Sequence, residues 1–222
     1  MGPTLTTAVQ ETDQDSVAHR VLQTLRQEIV SARLEPGQVI RETETAARLG
    51  VSKTPVREAL HALLWEDFVM VFPRRGYVVR QIGINDIREV MDLRLSIEPR
   101  ITAVAARVRS DELIQQLEGL LERQLDESRS LPERLTAASD FHRAIASMAG
   151  NKRAERLLRT YFDETTRTHY LFPRATDHVV SDAELQSHRR ILDALTARDE
   201  AEARSAMEEH LEESNQALLR SF

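Results

Sequence analysis

Three histidines, His142, His188 and His210, stand on three different predicted helices in the C-terminal two thirds of the chain. Imidazoles brought together from facing helices suit zinc, nickel or a similar divalent ion, which binds them in their neutral form. A lone helical histidine is more often a surface or capped residue, and His169 and His178 read that way. Arg94 lies in Asp92-Leu93-Arg94-Leu95-Ser96-Ile97-Glu98. Its planar fork can hold a carboxylate bidentately, or it can form an i, i+4 pair with Glu98 worth roughly 0.2–0.5 kcal/mol.

A second constellation runs from Gly50 to Leu60 as Gly-Val-Ser-Lys-Thr-Pro-Val-Arg-Glu-Ala-Leu. Ser52 suits a helix N-cap, and Pro55 the first turn. Val56, Leu60, Leu63 and Leu64 follow at helical spacing, which faces one side into a core and turns Lys53, Thr54 and Arg57 outward. The shape implied is a helix-turn-helix whose outward face can enter a major groove, where arginine suits bidentate contact with guanine. Val69 to Phe72 and Tyr77 to Val79 are short apolar runs around Pro73-Arg74-Arg75-Gly76, a turn with two cations. A two-stranded wing with Arg74, Arg75 and Gly76 at its tip would touch the DNA backbone or minor groove beside the recognition helix.

These strings resemble the winged-helix domain of GntR-family bacterial transcriptional regulators. The later Asp-Phe-His-Arg-Ala-Ile-Ala and Ser-His-Arg-Arg-Ile-Leu-Asp-Ala-Leu segments are similar to the all-helical effector-binding (FCD) domain of that family's FadR-like branch. The resemblance implies that His142, His188 and His210 are metal-binding positions and that Arg94 reaches an effector carboxylate. It also implies an Asp one helical turn before the first histidine, where this chain has Ala138; Asp140, two residues before His142, points to a different face. Water or an effector carboxylate would then fill the vacant coordination positions, and the alternative is a metal-free polar pocket that binds an anion directly. In the DNA-binding half, Thr43, Lys53 and Asp67 depart from the residues common in the family, which alters base specificity rather than fold.

The elements that must position these residues follow from the rest of the chain. Its 222 residues carry a net charge of -6, which at first argues against nucleic acid. The distribution corrects the average, since residues 15–80 hold 10 Lys and Arg against 8 Asp and Glu. A balance this small predicts tight DNA binding only by two copies side by side. Cysteine is absent, and no segment is long and uncharged enough to span a membrane, so a cytoplasmic protein is expected. Residues 1–14 read as a disordered leader, 15–80 as a winged-helix DNA-binding domain, 81–83 as a linker and 84–222 as a helical effector-binding and dimerisation domain. The second domain reads as about six helices, with Pro99 as a kink or break in the first. The fold class is mainly α, an N-terminal winged helix-turn-helix with a small β-wing followed by an all-α bundle.

The reading is a homodimeric, sequence-specific transcriptional regulator that binds a palindromic operator in double-stranded DNA under control of a small carboxylate metabolite, with zinc or nickel as the candidate cofactor. Two alternatives are a His-cluster metalloenzyme carrying a DNA-binding module, and a DNA-binding dimer without effector. No general base beside the histidines, nucleophile motif or phosphate-cradling glycine loop speaks for catalysis. Arg57→Ala or Lys53→Ala should weaken operator binding by roughly 1–3 kcal/mol if the side chain makes a base contact. Unchanged gel-shift affinity of the Arg57 variant would remove this helix from the interface.

Overall fold

The computed structural model describes residues 13–221, with side chains from residue 17 onward. Its chain order is α1 (Asp13–Val30), β1 (Val39–Ile40), α2 (Glu42–Leu49), α3 (Lys53–Trp65), β2 (Val69–Phe72), β3 (Gly76–Val79), α4 (Ile84–Val108), α5 (Asp111–Leu125), α6 (Leu131–Met148), α7 (Lys152–Leu171), α8 (Pro173–Val179), α9 (Asp182–Ala197) and α10 (Glu200–Arg220). The chain divides into two compact units at Gln81/Ile82. The expected disordered leader lies outside the described residues except for Asp13 and Gln14, where α1 begins.

In the first unit the apolar stripe of α1, Val21, Leu25 and Ile29, meets Val56, Leu60 and Leu63 of α3 in one core with Phe68, Val69 and Val79. Gly50 closes α2 at φ +66, a left-handed conformation that a Cβ would strain, and so turns the chain into α3. Ser52 occupies the N-cap position of α3 in extended backbone but its side chain makes no capping hydrogen bond. Asp67 takes the left-handed φ of +60 just beyond α3, a strain that a short polar side chain tolerates. The wing is three-stranded rather than two-stranded, in the antiparallel order β1-β3-β2. Its extra strand pairs Val39 with Val78 and Ile40 with Tyr77, and two residues are too few for alternation to announce a strand.

Among the described residues the second unit is seven helices, not six. α8 is a single short segment of seven residues opened by Pro173 at its first turn, below the length at which periodicity can be read. α4 runs through Pro99 without the break that is one of the two expectations there. Met91, Leu117, Leu121, Phe141, Ile145, Ile191, Leu195, Met207 and Leu211 form the main core between α4, α5, α6, α9 and α10. Ser110, Asn151, Ser181 and Asp199 each accept backbone N–H bonds at a helix start, so the helix boundaries are chemically fixed. Among the described residues no helix is long and apolar enough to cross a membrane.

Leu60 is fully buried beneath the outward face of α3. Leu60→Ala should cost roughly 2–5 kcal/mol of unfolding free energy. Urea denaturation measures this, and an unchanged midpoint would show that α3 is not anchored through this residue.

Candidate functional site

α6, α9 and α10 present His142, His188 and His210 to one another, all three buried, with their ligand atoms within 4.8 Å. His142 Nε2 lies 3.3 Å from His188 Nε2 and 3.1 Å from His210 Nε2. Two nitrogens sharing one tetrahedral ion at bonds of about 2.0–2.1 Å stand roughly 3.3–3.4 Å apart, so this spacing fits a common ion.

The opposite edges of the rings fix their protons. His142 Nδ1–H donates to Glu98 Oε2 at 2.8 Å, since an ionised carboxylate only accepts. Gln124 Nε2 donates to the carbonyl of Val179 at 2.8 Å, which turns Gln124 Oε1 toward His188 Nδ1, also at 2.8 Å. His188 must therefore donate from Nδ1 as well. The Nε2 lone pairs of His142 and His188 then face each other, and only a proton or a metal ion between them removes the repulsion. His210 Nδ1 is buried without a hydrogen-bond partner among the described residues, 3.5 Å from Glu184 Oε2. That orphan is accounted for if His210 Nε2–H donates to His142 when no ion is bound, and if the proton moves to Nδ1 when Nε2 is needed as a ligand.

Two carboxylates are buried with the rings. Burial alone would raise the Glu98 carboxyl, but the Arg94 guanidinium and His142 override it and hold it at about 2. Burial opposes ionisation of Glu184 too, and His210, His178 and His188 together draw it well below the usual range. His188 and His210 are pushed down by burial, His210 to about 4, so both stay neutral, the form a metal requires.

Arg94 is buried, and Glu98 occupies its fork, with Nε to Oε1 at 2.5 Å and Nη2 to Oε2 at 3.5 Å. The i, i+4 pair anticipated as the plainer alternative is thus present, in a dry setting where loss of either partner would leave a buried charge uncompensated. Nη1 donates to Thr165 Oγ1 at 3.2 Å. A cavity of about 50 Å³ opens beside the histidines, lined by Arg94, Ala138, His142, Thr165, Glu184 and His210. Ala138 adds no donor, and Asp140 points away, pairing with Arg143 at 3.7 Å. Asp140 lines instead a larger, open groove of about 550 Å³ between α5, α6 and α7 that carries none of the three histidines.

His169 and His178 are not surface residues: His169 is buried with Nδ1 donating to the carbonyl of Ala175 at 3.2 Å, and His178 is half-buried with Nε2 3.0 Å from Glu184 Oε2. Both line the cavity. Sequence reasoning missed Gln124 and Glu184. The second had a signal, because it stands four residues before His188, one turn away on the same face. Gln124 had none, since its role depends on where α5 packs.

In the first unit Ser52, Lys53, Thr54 and Arg57 are exposed on α3, and Arg74, Arg75 and Gly76 are exposed at the β2–β3 turn. Arg57 is gripped by Glu42, with Nη2 to Oε2 at 2.8 Å and Nε to Oε1 at 3.1 Å, which occupies the Nε edge of its fork and leaves the Nη1 edge for a base contact.

The sequence matches the gntR family of bacterial regulatory proteins over residues 17–79 and the FCD domain over residues 89–213. The HTH-type transcriptional repressor RspR of Escherichia coli (strain K12) is 28% identical over 205 residues, covering 91% of this chain and 89% of that protein. The Nta operon transcriptional regulator of Aminobacter aminovorans is 30% identical over 192 residues, covering 86% and 89%. Among solved structures, E. coli McbR/YncC shares the fold with a TM-score of 0.80 at 22% identity, over 92% of this chain and 97% of that one. A GntR transcriptional regulator from Rhodococcus sp. RHA1 gives 0.78 at 26% identity, over 93% and 99%.

His169 allows a direct check of the buried electrostatics. Burial lowers it to about 4 against an ordinary 6.5, so between these values the unfolded chain binds the extra proton. Stability should therefore fall as pH drops from about 6.5 to 4, by up to roughly 3 kcal/mol from this group alone. Urea unfolding of the metal-free protein across that window should show the loss and a shallower one in His169→Gln; identical slopes would place the titration elsewhere.

Proposed function

Since this chain belongs to the gntR family of bacterial regulatory proteins, transcriptional regulators and not enzymes, we propose that its operator affinity is set by a small carboxylate metabolite bound at a divalent ion on His142, His188 and His210. The observation that carries this reading is the meeting of Nε2 atoms at 3.1 and 3.3 Å behind rings whose Nδ1 atoms face fixed acceptors. Zinc and nickel suit such a nitrogen donor set, and either supplies a buried positive charge that a carboxylate can approach. The Nη1 edge of Arg94 and the hydroxyl of Thr165, both on the cavity wall, are the protein groups that receive the effector's other end. The rest of the Arg94 fork holds Glu98, and through it His142, in place.

On the DNA side, Lys53, Thr54 and Arg57 reach base edges, with Ser52 at the start of the helix, while Arg74, Arg75 and Gly76 approach the backbone. Two copies on a palindrome supply the phosphate contacts that one weakly basic unit lacks, so the working form is a homodimer.

Purified protein should contain zinc or nickel by elemental analysis. Metal added to the stripped chain should raise its melting temperature by several degrees, as a ligand at about 100 times its Kd adds roughly 2.7 kcal/mol to the native state. A carboxylate from a panel of acetate, lactate and citrate should raise it further and alter the operator gel shift, and both rises should vanish in His188→Ala. Absence of metal, an unmoved melting curve with zinc and nickel, and equal carboxylate binding by His188→Ala would together replace the metal with a direct anion pocket.

A further inference from the structure

We propose, on the premise that the three histidines hold a divalent ion, that Glu184 is its fourth protein donor, through Oε1, the effector carboxylate entering as a fifth ligand. Three neutral imidazoles leave the full charge of a buried ion uncompensated, and burying such a charge is costly without an anion beside it. Two carboxylates lie near enough to be considered, and their geometry separates them.

Glu98 is committed behind His142. Its Oε2 accepts from His142 Nδ1 at 2.8 Å and its Oε1 from Arg94 Nε at 2.5 Å, so it touches the ring edge opposite Nε2. Glu184 stands on the other side. Its Oε2 accepts from His178 Nε2 at 3.0 Å and from Ser214 Oγ at 3.4 Å and lies 3.5 Å behind His210 at Nδ1, while its Oε1 is the oxygen that faces a metal-binding nitrogen, His188 Nε2 at 3.6 Å. His188 Nδ1 already carries the ring proton toward Gln124, so Nε2 presents a lone pair to that oxygen. An anion and a lone pair facing each other in a buried site repel, and a cation shared by both turns the contact attractive. Oxygen and nitrogen donors on one ion at about 2.0–2.2 Å stand roughly 3.0–3.5 Å apart, close to the spacing seen.

The placement is built into the helix. Glu184 and His188 are one turn apart on the same face of α9, and Ser181 caps the turn that carries Glu184. Glu184 stands beyond the three donors that lie within 4.8 Å of one another. It joins them by turning its terminal carboxylate, a soft torsion. Ala138 sits one turn before His142 and also lines the cavity, so a carboxylate placed there can serve the same role.

Zinc affinity, measured by chelator competition, and the visible spectrum of the cobalt(II)-loaded protein test this directly. Loss of an outer partner of a ligand costs about 10–100-fold in metal affinity, and Glu98→Gln should fall in that range with its cobalt bands in place. Glu184→Gln should lose more than about 100-fold and shift the cobalt bands, and Ala138→Asp added to it should restore most of the loss. In the otherwise native chain Ala138→Asp should gain less than about tenfold, because a carboxylate is already supplied. Zinc affinity of Glu184→Gln within about tenfold of native with an unchanged cobalt spectrum would overturn the assignment, while a loss in His188→Ala would keep the three-histidine centre. A gain above 100-fold from Ala138→Asp in the native chain would also overturn it. A native chain that binds neither zinc nor cobalt would overturn both readings.

Discussion

Glu98 and Gln124 each accept a hydrogen bond from the Nδ1–H of a buried imidazole, and the rest of the helical unit is arranged around that constraint. With those protons on Nδ1 and the rings neutral, the Nε2 edges of His142 and His188 turn lone pairs toward each other, a contact that a proton or a metal ion between them relieves. Packing enforces the contact: Phe141 stacks on His188 with ring centroids 4.6 Å apart, and Arg94 braces Glu98 from the other side while lying over Phe162. The supporting groups come from α4 and α5, the rings from α6, α9 and α10, so five helices must pack correctly before the site exists. A well-packed core cannot relax gradually, which is why the three rings stay together at the spacing an ion needs.

The two units differ in how their charges are managed. On α3, Arg57 is exposed and paired with exposed-side geometry to Glu42, an arrangement whose net worth is small and which a phosphate or guanine can outcompete. In the bundle, Arg94, Glu98 and Glu184 are all nearly inaccessible, and each is held by several partners. Exposed pairs are exchangeable and suit recognition of another macromolecule. Buried ones are costly to disturb and suit a small ligand that brings its own charge.

Much of this was legible in the sequence, for identifiable reasons. The stripe of Val56, Leu60 and Leu63 and the Gly50 turn announce α3 because helical periodicity and left-handed glycine are local signals. The three histidines stood out because each lay on its own long amphipathic segment. β1 and α8 escaped because two and seven residues carry no usable period, and β1 exists only by pairing with β3. Pro99 does not break α4, where it is buried among the packed helices and the helix continues across a missing N–H. At the site, burial was the unreadable quantity. Polar and charged residues are ordinarily exposed, so nothing local marks Gln124 as interior and only its spacing from His188 points to Glu184, while His169 and His178 look like surface residues until α8 folds over α7.

The chain folds with the ring protons of His142 and His188 on Nδ1, and with the Nε2 of His188 bare. Nitrogen-15 NMR of histidine-labelled, metal-free protein at neutral pH measures this directly. The account predicts Nδ1–H tautomers for both residues, with the Nε2 resonances of all three site histidines shifting when zinc is added. An Nε2–H tautomer or an imidazolium at His188, unmoved by zinc, would contradict it.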